Sequence, residues 1–217
     1  MTAPEAQGRP RRITALVPEP QGAGSIRIEV DGARFGTLPP EVVREERLRV
    51  GSELDDALLA HLAGLAEVEA TYRTALRAVE RRSFARADLG RRLRRKGHAP
   101  EAIERALGRL AEHGFLDDVA FAASYIETRA ARGRGPLRLA RDLAAMGVER
   151  SVIDRALVAH AGSADTAGDV PRVLAAKRAA QLGDLPRQVR RRRVLAYLAR
   201  RGFSGREVTE MVGKLLA

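Results

Sequence analysis

Leu93-Arg94-Arg95-Lys96-Gly97, Leu143-Ala144-Ala145-Met146-Gly147 and Leu198-Ala199-Arg200-Arg201-Gly202 are one phrase written three times. The glycines lie 50 and 55 residues apart, and the same apolar positions return after each. Six residues on stand Ile103, Ile153 and Val208, followed by Ala106/Leu107, Ala156/Leu157 and Met211/Val212. A glycine after an amphipathic run suits the left-handed position that ends a helix, where a Cβ is strained. One such glycine is only a helix stop. Three in register, with the same spacing downstream, mark a helical module used three times, and stacked modules give a binding surface in place of a catalytic cleft.

Working outward, each module reads as three helices. Val68, Tyr72, Ala75/Leu76 and Val79 mark the first helix of the first module, Ala87–Lys96 the second, and a third opens at Pro100 and runs to His113. The second module has helices near 118–131, 136–146 and 150–160, with Gly135-Pro136 opening the middle one. A polar linker, Ala161–Asp169, leads to helices near 170–182, 187–201 and 205–216. Ser204-x-x-Glu207 is a capping box for the last. The hydrophobic residue after two of the glycines, Val148 or Phe203, is expected to fold back on its helix end; the first module has His98 there.

Ahead of the helices, Ile13–Val17, Ser25–Val30 and Ala33–Leu38 read as strands, with Asp31-Gly32 as a two-residue hairpin turn. Pro39-Pro40 stops the third strand, and 41–48 can form a short helix. The expected fold is mainly α: three tandem three-helix, helix-turn-helix-like modules in an elongated array, preceded by a small β-hairpin-containing module. The expected divisions are a disordered arm over 1–12, a β-rich module over 13–66 with short helices, and helical modules over 67–115, 116–161 and 162–217.

Charge sharpens the reading. The net charge is +11, which points to a polyanionic partner. Residues 1–82 hold 12 Lys/Arg against 13 Asp/Glu, and residues 83–217 hold 27 against 15, so the whole excess lies in the repeats. It gathers at Arg91, Arg92, Arg94, Arg95 and Lys96, at Arg132, Arg134, Arg138 and Arg141, and at Arg190, Arg191, Arg192, Arg193, Arg200 and Arg201. Any one cluster could be a solvated helix face. Their recurrence in or just before each middle helix favours phosphate or carboxylate contact, which the guanidinium fork grips in two places.

Other readings weaken on inspection. An operator-reading helix-turn-helix carries its base contacts on the second helix. Here the helix after each glycine is charge-balanced, with Glu101, Glu104, Arg105, Arg109 and Glu112 in the first module and Glu207, Glu210 and Lys214 in the third. Asp117-Asp118 reads as a helix start, not as an acid/base pair. Phe121 and Tyr125 read as core, and aromatics at 4% are too few for a single-strand stacking platform. The loop Arg132-Gly133-Arg134-Gly135-Pro136 lacks the Lys-Ser/Thr of a P-loop. His61, His98, His113 and His160 have no mutual ligand spacing. With no cysteine, the chain has no disulfide and no thiolate nucleophile. No catalytic group, cofactor or metal is expected. The basic start lacks the apolar core of a signal peptide, and a cytoplasmic protein is expected.

Leu93-Arg94-Arg95-Lys96-Gly97, Gly114-Phe115-Leu116-Asp117-Asp118-x-x-Phe121-Ala122-x-x-Tyr125 and Arg132-Gly133-x-Gly135-Pro136-x-Arg138-Leu139 resemble the signature runs of the RecX family, bacterial regulators of the RecA recombinase. The resemblance covers about 67–217 and is most specific from Gly114 to Gly147. It implies three helical modules in a curved chain, lodged in the groove of the RecA–single-stranded DNA filament across neighbouring subunits. It implies slower RecA ATP hydrolysis, strand exchange and co-protease activity, and hence a role in DNA repair and the SOS response. The expected partners are the RecA filament, single-stranded DNA within or beside it and, weakly, duplex DNA, with the chain itself a monomer. Gly97, Gly114, Phe115, Leu116, Asp117, Asp118, Phe121, Tyr125, Gly133, Gly135, Pro136, Gly147 and Gly202 are then structural signature positions. Two departures stand out. Ala85 replaces a Ser capping box at the first module's middle helix, leaving Asp88 alone, and the linker lacks an acidic helical continuation. A sequence-tolerant DNA-binding protein acting without RecA, and a structural adaptor, are the competing readings.

Overall fold

The computed structural model describes residues 10–19, 24–163 and 170–217. The chain divides into two compact units, one formed by residues up to Arg82 with Leu89–Leu116, the other by Ser83–Asp88 with Asp117–Ala217.

The first unit opens with an antiparallel sheet of β1 (Arg11–Pro18), β2 (Ile26–Val30), β3 (Ala33–Leu38) and β4 (Glu53–Leu54), in the order β3-β2-β1-β4. The three expected strands are present. Asp31 and Gly32 take positive φ of 51° and 78°, the pair of left-handed residues that a tight hairpin turn needs. Arg11 and Arg12 are not part of a disordered arm: they pair with Leu54 and Glu53 in the ladder. The rest of that arm, residues 1–9, lies outside the described residues. β4 has only two residues, too short for alternation to reveal. After β3 comes α1 (Pro40–Glu45), beyond which Leu48 is buried.

Helix α2 (Asp56–Val79) is capped by Asp55, whose carboxylate accepts from the Leu58 N–H at 2.7 Å. Its first half covers the sheet: Leu62 joins Ile13, Ile28, Val30, Leu38, Leu48 and Leu54 in one core. β3 approaches so closely at Gly36 that a Cβ there would stand 2.8 Å from the Ala66 Cβ. The second half of α2 turns Val68, Tyr72 and Ala75 inward, and α4 (Pro100–Glu112) packs beside it. The division expected between 66 and 67 therefore falls inside one unbroken helix. Glu69, 1% exposed, ties the parts together: it accepts from Ser25 Oγ (2.7 Å) and from Arg109 Nη1 (2.8 Å). The Arg109 guanidinium lies 3.9 Å from the centre of the Tyr72 ring.

Between these comes α3 (Arg86–Arg95), with Leu89 and Leu93 buried. Its first turn belongs to the second unit, where Ala85 sits in the same core as Ala122, Ile126, Leu139, Leu143, Val148, Val152 and Ile153. That core is enclosed by α5 (Asp118–Ala130), α6 (Pro136–Met146) and α7 (Arg150–Ser163). A further cluster of Ala175, Val194, Leu198, Val212 and Leu216 is built by α8 (Val170–Gln181), α9 (Arg187–Arg201) and α10 (Arg206–Leu215). Residues 161–163, expected in a linker, continue α7, and the rest of that linker up to residue 169 lies outside the described residues.

The repeated phrase is a repeated cap. Gly97, Gly147 and Gly202 have φ of 89°, 85° and 94°. The residue after each donates its N–H to the carbonyl of the repeat leucine: His98 to Leu93 (3.3 Å), Val148 to Leu143 (3.1 Å), Phe203 to Leu198 (2.9 Å). This is the six-to-one bond of a Schellman motif, and the three leucines are 1% exposed or less.

Two expected caps are built differently. Gly205, at φ 114°, is the N-cap of α10, which has no side-chain cap bond, so Ser204 does not form the expected box. At α3 the missing serine is replaced from a distance. The Arg86 N–H donates to Asp118 Oδ1 at 2.8 Å, while Asp117 Oδ1 accepts from Val119 and Ala120 at the start of α5. The adjacent aspartates thus cap two different helices.

Candidate nucleic-acid interface

The basic residues sort by what their guanidinium groups already hold. On α3, Leu89 and Leu93 occupy the buried face, which leaves Arg92, Arg94 and Arg95 exposed and Arg91 half-buried, and Lys96, just past the helix, is exposed as well. The side chains of Arg94, Arg95 and Lys96 make no hydrogen bond or ion pair among the described residues, whereas Arg91 and Arg92 have partners. The three unpartnered cations end a helix whose final carbonyls are already taken by the cap, so they can turn to solvent or a ligand.

The second cluster is largely engaged. Arg134 Nη1 donates to Asp142 Oδ2 (2.6 Å) and to the Tyr125 hydroxyl (3.1 Å), and the Arg138 guanidinium meets Asp142 Oδ1 at 3.0 Å. The Asp142 side chain is only 16% exposed, so one shielded carboxylate binds two arginines and ties α6 to the loop before it and, through Tyr125, to α5. Arg132 and Arg141 are exposed and their side chains have no partner among the described residues. Tyr125 and Phe121 are half-buried with rings 6.1 Å apart, so they border the core where the sequence placed them inside it.

In the third cluster, α9 buries Val194 and Leu198 and exposes Arg191, Arg192, Arg193 and Arg200. Arg190 is half-buried and its Nη1 donates to the Gly183 carbonyl at 3.4 Å. The Arg201 side chain faces inward: Nη1 donates to the carbonyls of Arg132 (3.2 Å) and Gly133 (3.5 Å), and the guanidinium lies 5.2 Å from the Tyr197 ring centre. The sequence could not separate Arg200 from Arg201, because both fall in the last turn. Sequence reasoning also missed Leu137, 53% exposed beside Arg138, since an apolar residue in an amphipathic helix carries no sign of being left outside.

Of the signature positions, Leu116 is buried, the glycines hold turns and close approaches, and the aspartates cap helices. Phe115 differs: it is 50% exposed, although its N–H closes the end of α4 on the Leu110 carbonyl at 2.8 Å. His98 and His113 serve local structure. His98 Nδ1 lies 2.9 Å from Thr71 Oγ1 and 3.2 Å from Glu67 Oε1, and His113 Nδ1 lies 2.7 Å from the Arg109 carbonyl. Among the described residues no three His, Cys, Asp or Glu side chains gather as a metal site, and no helix is long and apolar enough to cross a membrane.

Known proteins are similar to this chain in sequence and in fold. The family model described as RecX, second three-helix domain, fits residues 117–157, which run from the cap of α5 through α6 into the first half of α7. Regulatory protein RecX of Pseudomonas entomophila (strain L48) is 38% identical over 148 residues, 68% of this chain and 90% of the relative. Its counterpart from Geobacillus kaustophilus (strain HTA426) is 30% identical over 189 residues, 87% of this chain and 66% of the relative. A crystal structure of regulatory protein RecX matches with a TM-score of 0.77 at 25% identity, covering 94% of this chain and 99% of the other.

Proposed function

The chain belongs to the RecX family of regulatory proteins, and from that premise we propose that it acts without catalysis, by occupying the groove of the RecA–single-stranded DNA filament and slowing RecA's ATP hydrolysis, strand exchange and co-protease activity. The observation that supports this reading is the division of labour among the arginines. Arg94 and Arg95 on α3 with Lys96 just past its end, and Arg191, Arg192, Arg193 and Arg200 on α9, stand exposed with side chains without partners among the described residues, ahead of the repeat glycines Gly97 and Gly202. The helix after it keeps a balance of charge, which disfavours base reading and favours contact with phosphates and acidic side chains. Arg141 and Arg132 join this set. Arg91, Arg92, Arg134, Arg138 and Arg190 contribute field, with part of their hydrogen-bonding capacity already used.

RecA ATP turnover on single-stranded DNA tests the proposal. Added chain lowers turnover and co-sediments with the filament. If the clusters meet about five phosphates of a single strand, log affinity falls with log salt at a slope near −3.5. Unchanged turnover at saturating chain, with none in the pellet, would sink the reading. Tight binding to bare duplex near physiological salt, indifferent to RecA, would replace it with a nucleoid-type role in the cytoplasm.

A further inference from the structure

Two helix ends, far apart in sequence, meet at the loop between α5 and α6. The first amides and last carbonyls of a helix have no partner within it. Here the Gly135 N–H donates to the Arg201 carbonyl (2.7 Å) and the Leu137 N–H to the Gly202 carbonyl (3.3 Å). The C-terminus of α9 therefore caps the N-terminus of α6, negative end against positive end. Arg201 closes the contact with its own side chain, gripping the carbonyls of Arg132 and Gly133. No side chain fits between the backbones. A Cβ on Gly135 would stand 2.6 Å from both the carbonyl carbon and oxygen of Gly202, and one on Gly202 would strike the Arg138 nitrogen and Cβ. At Gly133 a Cβ would press on Leu174 of α8 at 3.2 Å.

We infer that this joint holds the second and third modules as one body and thereby assembles a single polyanion-binding surface from Arg132, Arg138 and Arg200, with Arg201 as a positioning residue and not a ligand contact. Backbone contacts at the joint, with the Arg201 side chain, bring the chain at these three positions together. Arg201 grips the Arg132 carbonyl, Arg138 backs onto Gly202, and Arg200 precedes the accepting carbonyls. A run of guanidinium groups of this kind fits the repeated phosphates of a nucleic-acid strand. The joint stands on geometry by itself; its binding role rests on the function proposed above.

Gly135 has φ −82° and ψ 165°, which alanine adopts freely, so Gly135→Ala perturbs only the joint. Because the chain has no cysteine, Ser124→Cys on α5 and Ala196→Cys on α9, both exposed, take spin labels for a distance measurement. The labelled parent gives one narrow distance distribution, and Gly135→Ala broadens it while the circular dichroism keeps its helical signal. Gly202→Ala does the same. Gly97→Ala, with the same left-handed backbone (φ 89°) but nothing within 4 Å of the added Cβ, leaves it narrow. Arg201→Ala, which removes only side-chain bonds, broadens it less and covers the case of a glycine variant that fails to fold. A narrow, unshifted distribution in every folded joint variant overturns the joint.

On the RecA filament, Gly135→Ala weakens binding on the order of tenfold, because two tethered patches lose effective concentration when they no longer face together. Arg200→Ala lowers the salt slope by about 0.7, and Arg201→Ala weakens binding with the slope unchanged. An equal loss of slope in Arg201→Ala makes Arg201 a ligand and overturns its positioning role. Absence of filament binding by the unmutated chain overturns the proposed function and the binding role with it, and leaves the distance measurement to decide the joint.

Discussion

Asp142 decides how much of the second basic cluster is available to a partner. It accepts from Arg134 and Arg138 while mostly shielded from water, so its charge is worth more there than on an open surface. Asp142→Asn should lower stability by about 1–2 kcal/mol, a figure reduced for the partial exposure of both arginines. The same substitution frees positive charge and should tighten binding to single-stranded DNA. A denaturant titration beside a binding titration checks both signs; loss of both stability and affinity would show that Asp142 only builds the fold. Glu69 is the stricter case, buried with an arginine and a serine on it. Glu69→Ala leaves Arg109 without its charge partner and should cost about 3 kcal/mol, read from the midpoint of unfolding.

At the scale of elements, the three middle helices share a cap but not a task. α3 is held by Leu89 and Leu93 on one side, so replacing Arg94, Arg95 and Lys96 with alanine should leave its helicity intact. The triple variant should reduce the salt slope of filament binding by about 2. An unchanged slope would assign that face to solvent. The Leu-x-x-x-Gly caps were legible in sequence because a left-handed residue admits few side chains besides glycine, and the hairpin at Asp31-Gly32 was legible for the same reason. The cap of α3 was not, since Asp118 stands 32 residues from the amide it receives. The fate of Arg134, Arg138 and Arg201 was equally hidden. A guanidinium turned toward a carboxylate or a carbonyl has the same sequence pattern as one turned outward. Gly135 and Gly202 could be read as helix punctuation, but not as a backbone-to-backbone contact, because the partner is a carbonyl that every residue carries.

At the scale of the molecule, the units do not coincide with the three repeats. Ser83–Asp88 belong with Asp117–Ala217, through Ala85 in the core and Arg86 on Asp118. A fragment of residues 83–217 should therefore outlast one of residues 117–217 by about 1–2 kcal/mol, from one cap and one buried methyl, when both are melted under the same conditions. Equal stability would show that the early segment only accompanies that unit. α2 has the converse effect in the first unit. Its 24 residues make a strut about 36 Å long, with the sheet packed on one half, α4 on the other and Glu69 joined to both. With no hinge between them, sheet and helices have no separate melting temperature. Amides of β2 and of α4 should exchange with solvent hydrogen at one common free energy, as parts of a single cooperative transition.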